Sequence, residues 1–207
     1  MSEMRILIVE DEPVIAENIA LYLNNNDFKV TGIAYDTEDA RKQLQDNTPD
    51  AVLLDINLDN EEDGIELAKF INKKYNLPLL FLTSYSDRET LERAKAVESW
   101  GYVVKPFDEK ALLASLEMAI ANFARHNSRH TPVLSFKKIN THLVSQLSER
   151  EFEVMQFIYA GKTNQQIATT LFISVNTIKK HINNAYLKLN VSTRTRGIAR
   201  LLELMAK

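Results

Sequence analysis

The chain has 207 residues, 45% hydrophobic and 26% charged, the composition of an ordinary globular protein with room for one large domain or two modest ones. It has no cysteine, which excludes disulfides, thiolate metal sites and cysteine nucleophiles. The formal charge of −3 hides a division: residues 1–124 carry 12 Lys+Arg against 24 Asp+Glu, and residues 125–207 carry 13 against 4. An acidic module is therefore expected to precede one that binds a polyanion.

The chain opens with Met1-Ser2-Glu3-Met4 and runs straight into a strand pattern, without the basic and apolar regions of a signal peptide. No apolar stretch reaches the ~18–20 residues of a membrane span, so no membrane association and a cytoplasmic location are expected. Strand-length apolar runs fall at about 5–9, 28–33, 51–54, 79–82 and 102–104. Helical patterns fall between and after them, at about 13–25, 37–46, 64–74, 87–97 and 108–124, with Asp36 and Asp108 placed to cap the second and fifth. Alternation of this kind predicts βαβ units, an α/β domain with a five-stranded, doubly wound parallel sheet over residues 1–124.

Residues 125–146 are expected to form a linker, since Asn127-Ser128-Arg129-His130-Thr131-Pro132 is polar and broken by proline, with room for partial order over Phe136–Val144 of a kind the residues do not specify. His126 and His130 stand at i, i+4, but lacking an acid or cysteine partner they are read as a solvated pair. A small all-α domain is predicted over 147–207. Ser148-Glu149-Arg150-Glu151 reads as a capping box opening a helix that Gly161 stops, and Thr163-Asn164-Gln165-Gln166 opens a short second helix to Leu171. Ser174 caps a third helix to Leu189, and Ser192 or Thr193 caps a fourth to the C-terminus.

The chemistry lies at the strand ends, where open α/β sheets place their ligands. The first strand delivers Glu10 and Asp11, the third Asp55, the fourth Thr83 and the fifth Lys105-Pro106. An acid pair after a strand is by itself most often a solvated turn; five positions from four strand ends are a stronger signal. Three carboxylates facing one lysine call for raised pKa values or a divalent cation, and hard oxygen donors suit Mg²⁺ (or Mn²⁺) better than zinc. Such a pocket suits in-line phosphoryl transfer, with Asp55 as nucleophile forming an acyl phosphate and Thr83 and Lys105 on the phosphoryl oxygens.

On these residues the chain from Arg5 to about Phe123 resembles the receiver domain of two-component response regulators, a flavodoxin-like fold. The matching segments are Val9-Glu10-Asp11-Glu12, Leu54-Asp55-Ile56-Asn57-Leu58, Asp63-Gly64, Leu82-Thr83-Ser84 and Tyr102-Val103-Val104-Lys105-Pro106-Phe107. The resemblance implies phosphorylation of Asp55 by a sensor histidine kinase, and a metal held by Glu10, Asp11, Asp55 and the Asn57 backbone carbonyl. It also implies a cis peptide before Pro106 and a switch in which Tyr102 turns inward as Thr83 moves. The loop Leu58–Gly64 departs from the pattern, lacking its common proline and running one residue longer, and Trp100 stands where a small residue is usual.

In the third C-terminal helix, Ile178, Ile182, Ala185 and Leu189 make an apolar stripe, with Asn176, Lys179, Lys180 and Asn183 opposite. Lysines and amides are the groups that read base edges in the major groove. The segment Leu147 to Met205 resembles the LuxR-type (NarL/FixJ) helix-turn-helix through Leu147–Glu151, Gly161–Ala168, Leu171–His181 and Lys188–Val191, with Asn190 in place of the usual glycine. The resemblance makes Asn176, Lys179, Lys180 and Asn183 base readers of double-stranded DNA, and places Lys162, Thr177, His181, Lys188 and Arg194 on its backbone. Leu204, off the apolar stripe of the last helix (Ile198, Leu201, Leu202 and Met205), is expected to contribute to a homodimer in the active form.

The function expected is that of a response regulator, not an enzyme: phosphorylation at Asp55 biases a surface around the 87–97 helix and the last strand, releasing the DNA-binding face, promoting dimerisation or both. A Mg²⁺-dependent phosphohydrolase would need a general acid or base beside Asp55, which Ile56 and Asn57 cannot supply. A DNA-binding protein with a vestigial pocket would not need all five pocket residues.

Overall fold

The computed structural model describes residues 3–58, 64–84, 94, 97, 99–128 and 132–206. Two compact units divide it, Arg5–Phe123 and one built on Ala124–Lys207. Along the first run β1 (Met4–Val9), α1 (Pro13–Asn24), β2 (Phe28–Ala34), α2 (Thr37–Asp46), β3 (Ala51–Asp55), α3 (Gly64–Lys74), β4 (Leu79–Thr83), β5 (Gly101–Val104) and α4 (Glu109–Ser128), whose last turn enters the second. The helix starts have the chemistry the sequence supplies. Pro13 occupies the first turn of α1, where its missing N–H costs nothing. Asp36 accepts the Asp39 N–H at 2.7 Å, and Asp108 the Ala111 N–H at 2.7 Å.

The sheet order is β2-β1-β3-β4-β5, with β1–β3, β3–β4 and β4–β5 parallel. Every residue of β1, β3 and β4 is buried, as expected of central strands covered on both faces. β2 and β5 are the edges, and their partial exposure follows from that position. The order reverses between β1 and β3, which opens a crevice at their carboxyl ends. Arg5 fixes the entry to β3: its guanidinium donates to the Thr48 carbonyl at 2.8 Å and to Asn47, while its N–H meets Asp50 Oδ2 at 2.9 Å. The expected helix over 87–97 lies outside the described residues except Ala94 and Val97, both buried in the core. The longer loop after Leu58 lies outside them as well.

The second unit holds α5 (Phe136–Thr141), α6 (Glu149–Tyr159), α7 (Asn164–Leu171), α8 (Val175–Leu189) and α9 (Arg194–Ala206). Both capping boxes form, Ser148 with Glu151 and Thr163 with Gln166. Thr193 opens α9, its hydroxyl accepting the Arg196 N–H at 3.3 Å. Asn190 ends α8 in the left-handed region (φ 56°), which an Asn side chain tolerates, and the Val191 N–H returns to the Tyr186 carbonyl at 3.0 Å.

Within 125–146, the partial order over Phe136–Val144 takes the form of α5. Ser135 caps α5, Ile139 is fully buried, and Phe136 meets Phe152 edge to face at 5.2 Å. Asn140 closes the arrangement by bonding Leu147 twice, Nδ2 to the carbonyl at 3.0 Å and Oδ1 from the N–H at 2.8 Å. One turn of helix is too short for a periodic signal, and its anchors lie outside the segment. Leu204 is also corrected: it is fully buried beside Leu201 in the core of this unit, so no dimer contact rests on it.

Candidate functional site

The crevice at the β1/β3 switch point has a volume of about 560 Å³ and is lined by Asp11, Asp55, Asn57, Ser84 and Lys105, with Tyr22 of α1 on its wall. Glu10 lies beneath, fully buried, and its N–H is held by the Ala34 carbonyl at 3.0 Å. Asp55 ends β3 with little exposure; its Oδ1 accepts the Asn57 N–H at 3.0 Å and its Oδ2 meets Lys105 Nζ at 2.5 Å. Lys105 also reaches Glu10 Oε1 at 2.8 Å, so one ammonium bridges two carboxylates from neighbouring strands. The Lys105 N–H in turn bonds the Thr83 carbonyl at 2.7 Å, which aims the side chain across the strand ends. The Lys105–Pro106 peptide is cis.

Gly64 fixes the far side. Its N–H donates to the Ile56 carbonyl at 3.1 Å, and a Cβ built there would lie 2.0 Å from the Asp55 carbonyl oxygen. Only glycine lets the start of α3 come this close to the chain leaving Asp55.

The electrostatics follow from the burial. Burial pushes the Glu10 carboxyl up to about 7; the Lys105 hydrogen bond pulls it back and the Asp55 charge adds to the rise. Burial also pulls Lys105 down, but hydrogen bonds to Asp55 and Glu10, and their charges, outweigh it and hold the ammonium above the ordinary lysine value. Glu10, Asp11 and Asp55 each offer an oxygen within 4.8 Å of the others, an all-oxygen donor set that fits a hard divalent cation. Thr83 is buried at the end of β4, with the exposed Ser84 on the crevice wall. Tyr102 points outward, 61% exposed. Trp100 packs edge to face on Phe123 at 5.4 Å, away from the chemistry. The α1 residues Ile15, Asn18 and Tyr22 are not among the sequence-derived site residues; the signal for them is that α1 starts two residues after the acid pair and must border the crevice.

The second candidate surface is α8. Asn176, Lys180 and Asn183 are exposed and Lys179 half-buried, while Ile178, Ile182, Ala185 and Leu189 are buried on the other side. Lys162 and Thr177 are exposed and His181 half-buried; His126 is exposed, and His130 lies outside the described residues. Two expected backbone contacts are corrected. Arg194 is 4% exposed, and its guanidinium turns inward to the Ile158 carbonyl at 3.2 Å and to that of Lys162, closing the turn after α6. Lys188 is committed to the buried Glu151 carboxylate at 2.7 Å. Burial would raise Glu151, but Lys188 and the Ser148 N–H outweigh it and hold the carboxyl below its ordinary value.

Comparison with known proteins agrees with this geometry in both units. Residues 6–117 match the family model of the response regulator receiver domain, and residues 145–201 match that of the luxR family of bacterial regulatory proteins. The chain is 30% identical over 201 residues to the transcriptional regulatory protein YhcZ of Bacillus subtilis (strain 168), covering 94% of this chain and 93% of that one. It is 28% identical over 202 residues to the response regulator protein VraR of Staphylococcus aureus (strain NCTC 8325 / PS 47), covering 94% of each. Among solved structures, the signal receiver domain of a modulated diguanylate cyclase from Desulfovibrio desulfuricans G20 superposes with a TM-score of 0.57 at 36% identity, over 60% of this chain and 98% of that one.

Proposed function

The chain belongs to the two-component response regulators that join a receiver domain to a LuxR-family DNA-binding domain and regulate transcription, and from that membership we propose that Asp55 is the residue phosphorylated by a sensor histidine kinase. The observation that carries this is the placing of Asp55 at the switch point, on the crevice wall and within 2.5 Å of the Lys105 ammonium. In the transfer, an Asp55 carboxylate oxygen attacks phosphorus in line, the bond from phosphorus to the donor's imidazole nitrogen breaks, and that nitrogen keeps the electron pair. Lys105 then has a phosphoryl oxygen to bond, and Thr83 supplies a hydroxyl from the next strand. Glu10, Asp11, Asp55 and the Asn57 carbonyl would hold Mg²⁺, which offsets charge on the phosphoryl oxygens. As Thr83 moves toward the phosphoryl group, Tyr102 turns inward. The phosphate acts as a signal and not as a step of turnover, in a protein that works in the cytoplasm.

The receiver role belongs to residues 1–124 and the DNA-binding role to 147–207, with α5 packed as part of the second unit. Asn176, Lys179, Lys180 and Asn183 read bases, and Lys162, Thr177 and His181 meet the backbone. Phosphorylation favours a homodimer, whose two-fold symmetry suits a palindromic operator. Incubating the full chain with a small acyl-phosphate donor and Mg²⁺ should add one base- and hydroxylamine-labile phosphoryl group, seen by mass and absent in Asp55→Asn. A wild-type mass that never shifts, or a shift that Asp55→Asn retains, overturns the assignment.

A further inference from the structure

We propose that Leu187 is a further specificity-determining residue, an apolar base reader that recognises the methyl group of a thymine in the operator. The proposal rests on α8 being the helix that enters the major groove, and extends that reading by one residue of a different chemistry.

Leu187 is 80% exposed although it is a leucine on a well-packed helix. Within α8 it is the one large hydrophobic residue that is exposed; Val175 is half-buried, and Ile178, Ile182, Tyr186 and Leu189 are buried. Isolated exposed leucines are common on protein surfaces, so exposure alone decides nothing. Register does. At about 100° per residue, Asn176, Lys180, Asn183 and Leu187, spaced i, i+4, i+7 and i+11, share an arc of about 60°. The buried Ile178, Ile182, Ala185 and Leu189 occupy the opposite side. The face expected to meet the groove therefore ends in an isobutyl group, about 6 Å further along the helix axis than Asn183.

A partner for that group follows from what the groove displays. A·T pairs present the thymine C5-methyl on the major-groove edge, and apolar side chains distinguish it where lysine and asparagine cannot. The occupant is DNA because Leu187 continues the row formed by Asn176, Lys180 and Asn183. Leu187 also adds nothing to the core of the unit, so folding does not account for its placement.

The test uses the full-length protein and an operator obtained by selection from random duplexes. Each thymine is replaced in turn by uracil, which deletes the methyl and leaves the hydrogen-bonding pattern intact. Wild type should lose about fourfold in affinity at one thymine, the effect of uncovering one buried methyl group. Leu187→Ala should lose a similar factor on the unmodified operator and become indifferent to uracil at that position. The proposal is overturned if Leu187→Ala keeps the wild-type response to uracil at every thymine. It is equally overturned if the substitution shifts the monomer–dimer balance in sedimentation and leaves the uracil response unchanged, since Leu187 is then a contact between copies. Lys180→Ala separates this failure from failure of the underlying reading: with that variant also binding as wild type, α8 is not the reading helix at all.

Discussion

Both units bury charged side chains, but they treat them in opposite ways. Around the crevice, Glu10 and Asp55 are buried side by side and share the Lys105 ammonium, and the Glu10 carboxyl is pushed up to about 7. In the second unit, Glu151 is buried against Lys188 and the Ser148 N–H, and its carboxyl is held below the ordinary value. Arg194 is buried there with its guanidinium on two backbone carbonyls. One cluster is under-compensated by the protein and suited to a ligand that brings positive charge. The other is satisfied from within and acts as a structural tie, which leaves the second unit's function to its exposed groups. Removing a charge should therefore have opposite signs in the two places.

The largest effect is expected at Arg194. Truncation to Ala strips the Ile158 and Lys162 carbonyls of a charged donor and empties a buried volume, at a cost of about 4 kcal/mol to the second unit. Hydrogen exchange of the α8 amides in the full chain should accelerate accordingly, while the fluorescence of Trp100, the chain's one tryptophan, keeps its wild-type denaturation midpoint. If the α8 amides stay as protected as in wild type, Arg194 is a surface cation after all and its assignment to DNA phosphate returns.

At Glu10 the sign should reverse. The folded carboxyl binds its proton more tightly than the unfolded chain, since its pKa rises from 4.5 to about 7. The first unit is therefore most stable below the unfolded value, loses stability as pH climbs toward 7, and levels off above it, a loss of about 3 kcal/mol. Glu10→Gln abolishes that slope and should stabilise the metal-free unit by about the same amount at pH 8, measured by denaturation followed at Trp100. Mg²⁺ should narrow the gap by stabilising wild type more than the variant. Parallel stability–pH curves for the two proteins would show that Lys105 already compensates the pocket, and the contrast between the units would vanish.

How much of this was legible from the residues depends on how far each determinant lies from what it determines. The caps at Asp36, Ser148, Thr163 and Ser174 act within three residues, and their helices begin where the side chains dictate. The pocket spans 95 residues from Glu10 to Lys105, yet it too was readable, because a parallel strand delivers its last side chains to a known edge of the sheet. Arg194 and Lys188 were misjudged for the complementary reason. The family resemblance assigns both to DNA phosphate by their position in the motif; their partners here, the Ile158 carbonyl and Glu151, lie 36 and 37 residues away and are positioned only by packing. Leu204 failed in the same way, since the stripe model of α9 is narrower than the groove that receives the helix. Leu187 gives no sign of its exposure in the sequence, because a leucine in a helix is by residue type a core residue.

The smallest of the three effects, at Glu151, decides whether the contrast is one of chemistry or merely of depth. Glu151 and Glu10 are both buried carboxylates beside a lysine, so a depth argument predicts the same sign for both. A lowered pKa predicts otherwise. The folded carboxyl here gives up its proton more readily than the unfolded chain, so its contribution is present above the unfolded value and is lost as pH falls through the folded one. Glu151→Gln keeps the shape, leaves Lys188 without its counter-charge and weakens the capping box, and should cost about 1 kcal/mol at pH 7. The cost should shrink toward zero in acid, where wild type is protonated as well. Exchange of the α6 and α8 amides at several pH values reads this directly. A cost that persists in acid would assign the effect to packing, and a gain at pH 7 would place Glu151 with Glu10 as a charge the protein leaves for something else to neutralise.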